Sequence, residues 1–268
     1  GCESLSSVII GNSVTSIAEK AFMNCSELKS VTIPDSVTSI GNNAFQYCYE
    51  LKSAAIGSSV TSIGDYSFAN CSGLTSVNIG KSINSIGRFA FNKCTSLIDF
   101  TIPDSITFIG NSAFENCRSL TSVTIPDKVA SIEKKTFSYC ISLESVTIPD
   151  GVTIIEIDAF SRCESLTSAG IGSSVTSIGN GAFSNCKSLT SVTIPDSVTS
   201  IGDRAFSSCS NLTSVTIGDS VTSIGEQAFS RCGSLTSVTF EGNAPETLGK
   251  GVFSRTRRDA KVYVAANA

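Results

Sequence analysis

Eleven cysteines fall at Cys2, Cys25, Cys48, Cys71, Cys94, Cys117, Cys140, Cys163, Cys186, Cys209 and Cys232, each 23 residues from the next. Thiols at fixed spacing can form disulfides, hold a soft metal or fill a core. No C-x-x-C pair occurs and the chain has no histidine, which argues against zinc. Stacked at one coil per cysteine, neighbouring Cα atoms would lie about 5 Å apart, but parallel side chains keep their Cβ atoms too far apart for a bond. The pattern favours buried free thiols acting as small apolar fillers.

Oxygen chemistry is the other candidate. Asp104, Asp127 and Asp150 each follow a proline in three successive units and form a row of carboxylates. Such a row either bridges a divalent cation or, as favoured here, caps the turn in which each aspartate sits. Asp196 and Asp219 make a similar pair. Thr101, Thr124, Thr147, Thr193 and Thr216, with Ser122 and Ser145 two positions earlier, define an uncharged hydroxyl-rich face. Thr38, Thr61, Thr176, Thr199 and Thr222 make a second row. These rows suit protein or glycan contact, or more remotely ice, and they also suit plain β propensity and cross-strand pairing. Tyr47, Tyr49 and Tyr139 flank cysteines and are either partner anchors or cover for the side of the fold.

The elements that position these residues are copies of one unit, as in CKSLTSVTIPDSVTSIGDRAFSSC from Cys186 to Cys209. Counted from the leucine it reads L-x-x-V-x-I-x-x-x-V-x-x-I-x-x-x-A-F-x-x-C-x-x, and a constant period of this length signals a solenoid. The V-T-I segment alternates as a half-buried strand does, and Pro or Gly ends it. Strands that recur after a long crossover must be parallel. V-T-S-I predicts a second, shorter strand. The A-F-x-x-C stretch predicts a single 3₁₀ or α turn, since it is too short for a free helix. Stacked coils bury their apolar sides against each other, so all 268 residues read as one domain of about eleven coils.

Residues 1–4 are a partial repeat, with Leu5, Val8 and Ile10 at an open apolar end. The start within a repeat, with no initiating Met or secretory signal, suggests a trimmed or mature fragment. Residues 240–268 are an irregular coil and cap: EGNAPET inserts one residue, and Val262, Tyr263 and Val264 resume strand alternation. Arg255, Arg257 and Arg258 crowd the preceding turn, either as an edge-protecting charge cluster, the reading favoured here, or as a binding site for an anion. The middle coils depart most from the norm, through Ile98, Asp99, Phe100 and Phe108, then Glu133, Lys134 and Lys135, then Ile154, Glu156 and Ile157. They are either drift or a contact patch.

A net charge of −4 provides no basic field for nucleic acid, and no apolar run approaches a membrane span. Without histidine, acid-base catalysis near neutral pH lacks its commonest agent. The consensus closely resembles the BspA-like class of leucine-rich repeat proteins in its strand, its P-D-S turn and its A-F-x-x-C ending, and FEGNAP…KVYV resembles that class's closing coil. The resemblance implies a curved right-handed α/β-type superhelix, strand-rich, with a parallel sheet on one face. It also implies a secreted or cell-surface setting and a role in adhesion and recognition, with no shared catalytic residues and no cofactor. The expected protein is a monomeric, non-enzymatic module binding protein or surface glycan through its sheet face. The alternative is a passive spacer in a larger surface protein.

Overall fold

The computed structural model describes residues 2–264. Each repeat is one coil of a parallel β-solenoid with three columns. The first column holds four-residue strands such as Ser30–Ile33, Ser145–Ile148, Ser191–Ile194 and Ser214–Ile217. In Ser191–Ile194 the valine and isoleucine are buried while serine and threonine face out, the alternation expected of a strand buried on one side. Pairing runs parallel at one repeat: Ser191 opposite Ser214, Val192 opposite Val215, Thr193 opposite Thr216 and Ile194 opposite Ile217. The second column consists of two-residue strands, such as Ser177–Ile178 beside Ser200–Ile201.

The third column differs from the sequence expectation. No helix or 3₁₀ turn occurs among the described residues, and a run of β-turns takes its place. In the coil of Phe45, the amides of Ala44, Gln46 and Cys48 bond the carbonyl three residues back, whereas those of Asn43, Phe45 and Tyr47 bond Asp65, Ser67 and Ala69 of the next coil. Two residues four apart, here Asn43 and Tyr47, hold positive φ of 58° and 65°, which a continuous helix cannot accommodate. The alternation sends half of the turn amides into the neighbouring coil, so this column is a hydrogen-bonded ladder as well.

That ladder carries the core. Phe22, Phe45, Phe68 and their successors stack in near-parallel pairs through Phe229 to Phe253, with centroids 5.1 Å apart at the first pair and 5.7 Å at the last. Parallel rings about 3.5 Å thick must be offset at such separations, an arrangement worth roughly 0.5–1.5 kcal/mol per pair beyond burial. The leucine and cysteine ladders are fully enclosed beside it through most of the chain. Ten of the eleven cysteines are buried and all are free; Cys2 is exposed. They are more than fillers, because thiols from Cys48 onward donate to a phenylalanine carbonyl 26 residues earlier, as Cys117 does to Phe91 at 3.2 Å.

The strand columns are interrupted where the sequence is least regular. After the three-stranded sheet ending at Ser76–Asn78, the first column keeps only single bridges, Ser76 to Asp99, Asp99 to Ser122 and Ser122 to Ser145. The reduced pairing coincides with Phe100, which takes the place of a consensus valine and is buried. Its ring enters edge-on between Phe91 and Phe114, with centroids 4.9 and 4.7 Å away. A ring in a valine site crowds the neighbouring backbone, and the second column is also unpaired at this step, between Phe108–Ile109 and Ser131–Ile132. The turn column passes this point unbroken, with Phe91 bonded to Ala113 and Phe114 to Thr136.

At the C-terminal end, Lys261–Val264 pairs with Ser237–Phe240 at a step of 24, Ser237 opposite Lys261, as the one-residue insertion requires. The strand is exposed throughout; the rest of the expected cap, residues 265–268, and Gly1 at the other end lie outside the described residues. Leu5, Val8 and Ile10 are half-buried against the core. Arg257 pairs with Asp259 at 2.8 Å, holding that carboxyl down at about 2 through its hydrogen bonds.

Candidate interaction face

The three threonine rows have different duties. In the second column, the hydroxyls of Thr38, Thr61, Thr176, Thr199 and Thr222 each donate to a carbonyl of the preceding coil. Before the first column, Thr75, Thr167, Thr190, Thr213 and Thr236 do the same. The mid-strand row makes no such bond: among the described residues Thr101, Thr124, Thr147, Thr193 and Thr216 spend no hydroxyl on the fold, nor do Ser122 and Ser145. All of them are exposed except half-buried Thr216. The hydroxyls available to a ligand are therefore on the four-residue strands. The row is not regular, since Ala55, Asn78 and Gly170 interrupt it.

A groove of about 950 Å³ opens on this face beside the break at Phe100. Its floor is Ala54 and Ala55, where small side chains replace the usual valine and threonine. Ser53, Ser76, Asn78, Lys81, Thr101 and Asp104 also line it. Of the candidate face residues named above, Thr101 belongs to it, as does Asp104 of the carboxylate row, and Thr32 of the same mid-strand row lines it too. Thr147, Asp127 and Asp150 border a second depression, and Ser122, Thr124, Ser145, Thr193 and Thr216 border neither. The sequence signal for the groove is small residues, Ala54 and Ala55, at strand positions two coils before the oversized Phe100.

The aspartates divide: Asp219 accepts from Ser220 in its own turn at 3.0 Å, as expected, whereas others act between coils. Asp150 Oδ1 accepts from the amide and hydroxyl of Ser173, one coil on, at 2.7 and 3.0 Å. Asp35 does the same with Ser58, whose amide lowers the carboxyl's pKa. Asp104 and Asp127 make no equivalent bond. Among the described residues no three His, Cys, Asp or Glu side chains gather in a way that could hold a metal ion. Ile98, Phe108, Ile154 and Ile157 are exposed, whereas Phe100 is not. Tyr47 and Tyr49 lie with rings 6.0 Å apart, and Tyr139 sits under the Arg162 guanidinium at 5.1 Å.

The family model for the BspA type leucine rich repeat region matches in overlapping stretches, residues 1–121, 61–189 and 153–267. The chain belongs to that family. Solved bacterial leucine-rich repeat proteins share the architecture. One from Bacteroides ovatus is 25% identical with a TM-score of 0.69, covering 94% of this chain and 88% of that one. One from Eubacterium ventriosum is 26% identical with a TM-score of 0.52, covering 81% and 68%. The T. pallidum leucine-rich repeat protein is 26% identical with a TM-score of 0.53, covering 69% and 78%. A comparison with curated proteins gave no match. BspA-type solenoids are repeat modules suited to protein interaction and are typically non-enzymatic; within such a fold, function is set by the particular surface.

Proposed function

We propose that this BspA-type chain is a non-enzymatic recognition and adhesion module, exposed at a cell surface or secreted, that binds protein or glycan through its sheet face. The observation that carries this reading is the unspent hydroxyl row beside a groove lined by Ser53, Asn78, Lys81, Thr101 and Asp104. A face with free donors and acceptors, one cation and one carboxylate is equipped to match a polar partner without first breaking its own bonds. The interruptions at Ala55, Asn78 and Gly170 disfavour ice, which would need an even lattice of hydroxyls.

The test is a binding screen against extracellular-matrix proteins and a glycan array, using the Ala55→Arg, Thr101→Arg double variant and, separately, the Thr124→Arg, Thr147→Arg double variant. Saturable binding lost in the first variant places the ligand in the groove; loss only in the second places it further along the face. A folded protein that binds nothing in the screen would favour the spacer role.

A further inference from the structure

On the turn column, away from the sheet face, a second groove of about 230 Å³ runs across the coils from Tyr49 to Arg118. We propose that it binds an acidic oligosaccharide, a sugar chain bearing carboxylate or sulfate groups. The repeat builds it from two positions per coil, the residue before the cysteine and the residue after it. Asn70, Lys93 and Asn116 occupy the first row, and Tyr49, Thr95 and Arg118 are set along the second.

The first row is held rigidly. Asn70, Lys93 and Asn116 all have positive φ near 60°, and their amides bond Asn92, Glu115 and Ser138 of the following coil at 2.7, 2.8 and 2.8 Å. Their side chains therefore project at the coil spacing. From Tyr49 to Arg118 is three steps, roughly 14 Å at about 4.8 Å each, so the groove suits a short chain and not a single ring.

Its chemistry selects the ligand. Two cations line the groove and no carboxylate does, in a chain whose net charge is −4. Among the described residues neither Lys93 nor Arg118 is in an ion pair. The neighbouring acids are already engaged: Glu50 lies 3.4 Å from Lys29 and 3.9 Å from Lys52, and Glu115 accepts from Asn92 at 3.2 Å. Asn70 and Asn116 offer paired donors and acceptors for sugar hydroxyls. The exposed Tyr49 ring offers an apolar platform with a polar edge. Two cations are too few for a nucleic-acid backbone.

The experiment is calorimetric titration of the intact chain with a chondroitin sulfate tetrasaccharide, with sialyllactose and with neutral lacto-N-tetraose. Binding of at least one acidic sugar is expected, with none of the neutral one. Arg118→Glu and Lys93→Glu should each weaken it about tenfold or more, Tyr49→Ala should weaken it comparably, and higher salt should weaken it further. The two acidic arms separate sulfate from carboxylate. All three side chains are exposed, so circular dichroism should match the parent. Ala55→Arg on the sheet face should leave this binding intact, which separates the groove from the reading above. No binding of either acidic sugar, equal binding of the neutral one, or indifference to charge reversal would overturn the assignment.

Discussion

The thiol of Cys186 donates to the backbone carbonyl of Phe160 at 3.2 Å, across one coil boundary. The same bond recurs at Cys163 with Phe137 and at Cys209 with Phe183, so the cysteine ladder joins each coil to the one before it. The carbonyl it caps belongs to a residue whose ring is already stacked, and one side chain thereby fixes both the backbone and the packing of its neighbour.

This geometry predicts the behaviour of the thiols. Ten are enclosed and one, Cys2, is exposed. A thiol reagent added to native protein should label about one group per chain quickly and the remaining ten only on unfolding. Rapid labelling of several groups in folded protein would show that the column opens.

Alkaline pH should unfold the protein steeply. Burial raises the pKa of the thiols from Cys71 to Cys232, the last to about 12. Below the ordinary thiol value, about 8.5, folded and unfolded chains both hold these protons and nothing is lost. Above it the unfolded chain releases protons that the folded chain keeps, so stability falls by about 1.4 kcal/mol per pH unit for each such thiol. Denaturant melts should show little change up to pH 8 and a collapse between pH 9 and 10. A flat profile there would contradict burial of the column.

Core truncation should be costly in every coil. Phe183 and Leu189 are fully buried, and Phe183 stacks on Phe160 and Phe206, both at 5.2 Å. Phe183→Ala or Leu189→Ala should lower unfolding free energy by about 2–5 kcal/mol through the cavity left behind. Loss of less than about half a kcal/mol would remove these residues from the core.

The turn column predicts a gain. Lys135 holds φ at 58°, a conformation that costs a residue with a Cβ roughly 1–2 kcal/mol. Glycine removes that cost but loses more chain entropy on folding, by roughly 0.5–1 kcal/mol. Lys135→Gly should therefore stabilise by about half a kcal/mol, read as a raised denaturation midpoint. Gly181 and Gly251 occupy the same place in their coils with φ of 63° and 68°.

The strands, their register, the inward ladders and the insertion before Lys261 were legible because each follows from a period-2 or 23-residue rule applied to apolar residues. The sequence reads the turn column as helical because most of its left-handed residues are not glycine: Lys, Tyr and Arg at these positions carry no local warning, and the neighbouring coil's carbonyls hold them there. The site was half legible. Thr101 and Asp104 come from the repeat itself, but the groove depends on what is missing, the side-chain bulk absent at Ala54 and Ala55, and on where the Phe100 ring goes once the coils are stacked. Neither is a property of one repeat. Nor does a consensus show which threonine row keeps its hydroxyls free, since each row is mainly threonine and what separates them is whether a neighbouring coil's carbonyl accepts the hydroxyl.

Phe100 offers the sharpest test of how the groove arises. If its ring wedges the sheet side open, Phe100→Val restores the consensus residue and lets the strand around Thr101 approach its neighbours. Pairing that now consists of the single bridges at Asp99 and Ser122 should extend along each strand, and amide exchange at Ile102 and Ile125 should slow as those groups gain ladder bonds. The lost ring contacts with Phe91 and Phe114 oppose this gain, so net stability should move by less than the 2–5 kcal/mol expected for Phe183→Ala. Binding at the sheet-face groove should weaken as its wall closes, whereas sugar binding near Arg118, on the unbroken turn column, should persist. Unchanged amide exchange in the variant would mean that the ring fills a gap opened by some other feature of the middle coils.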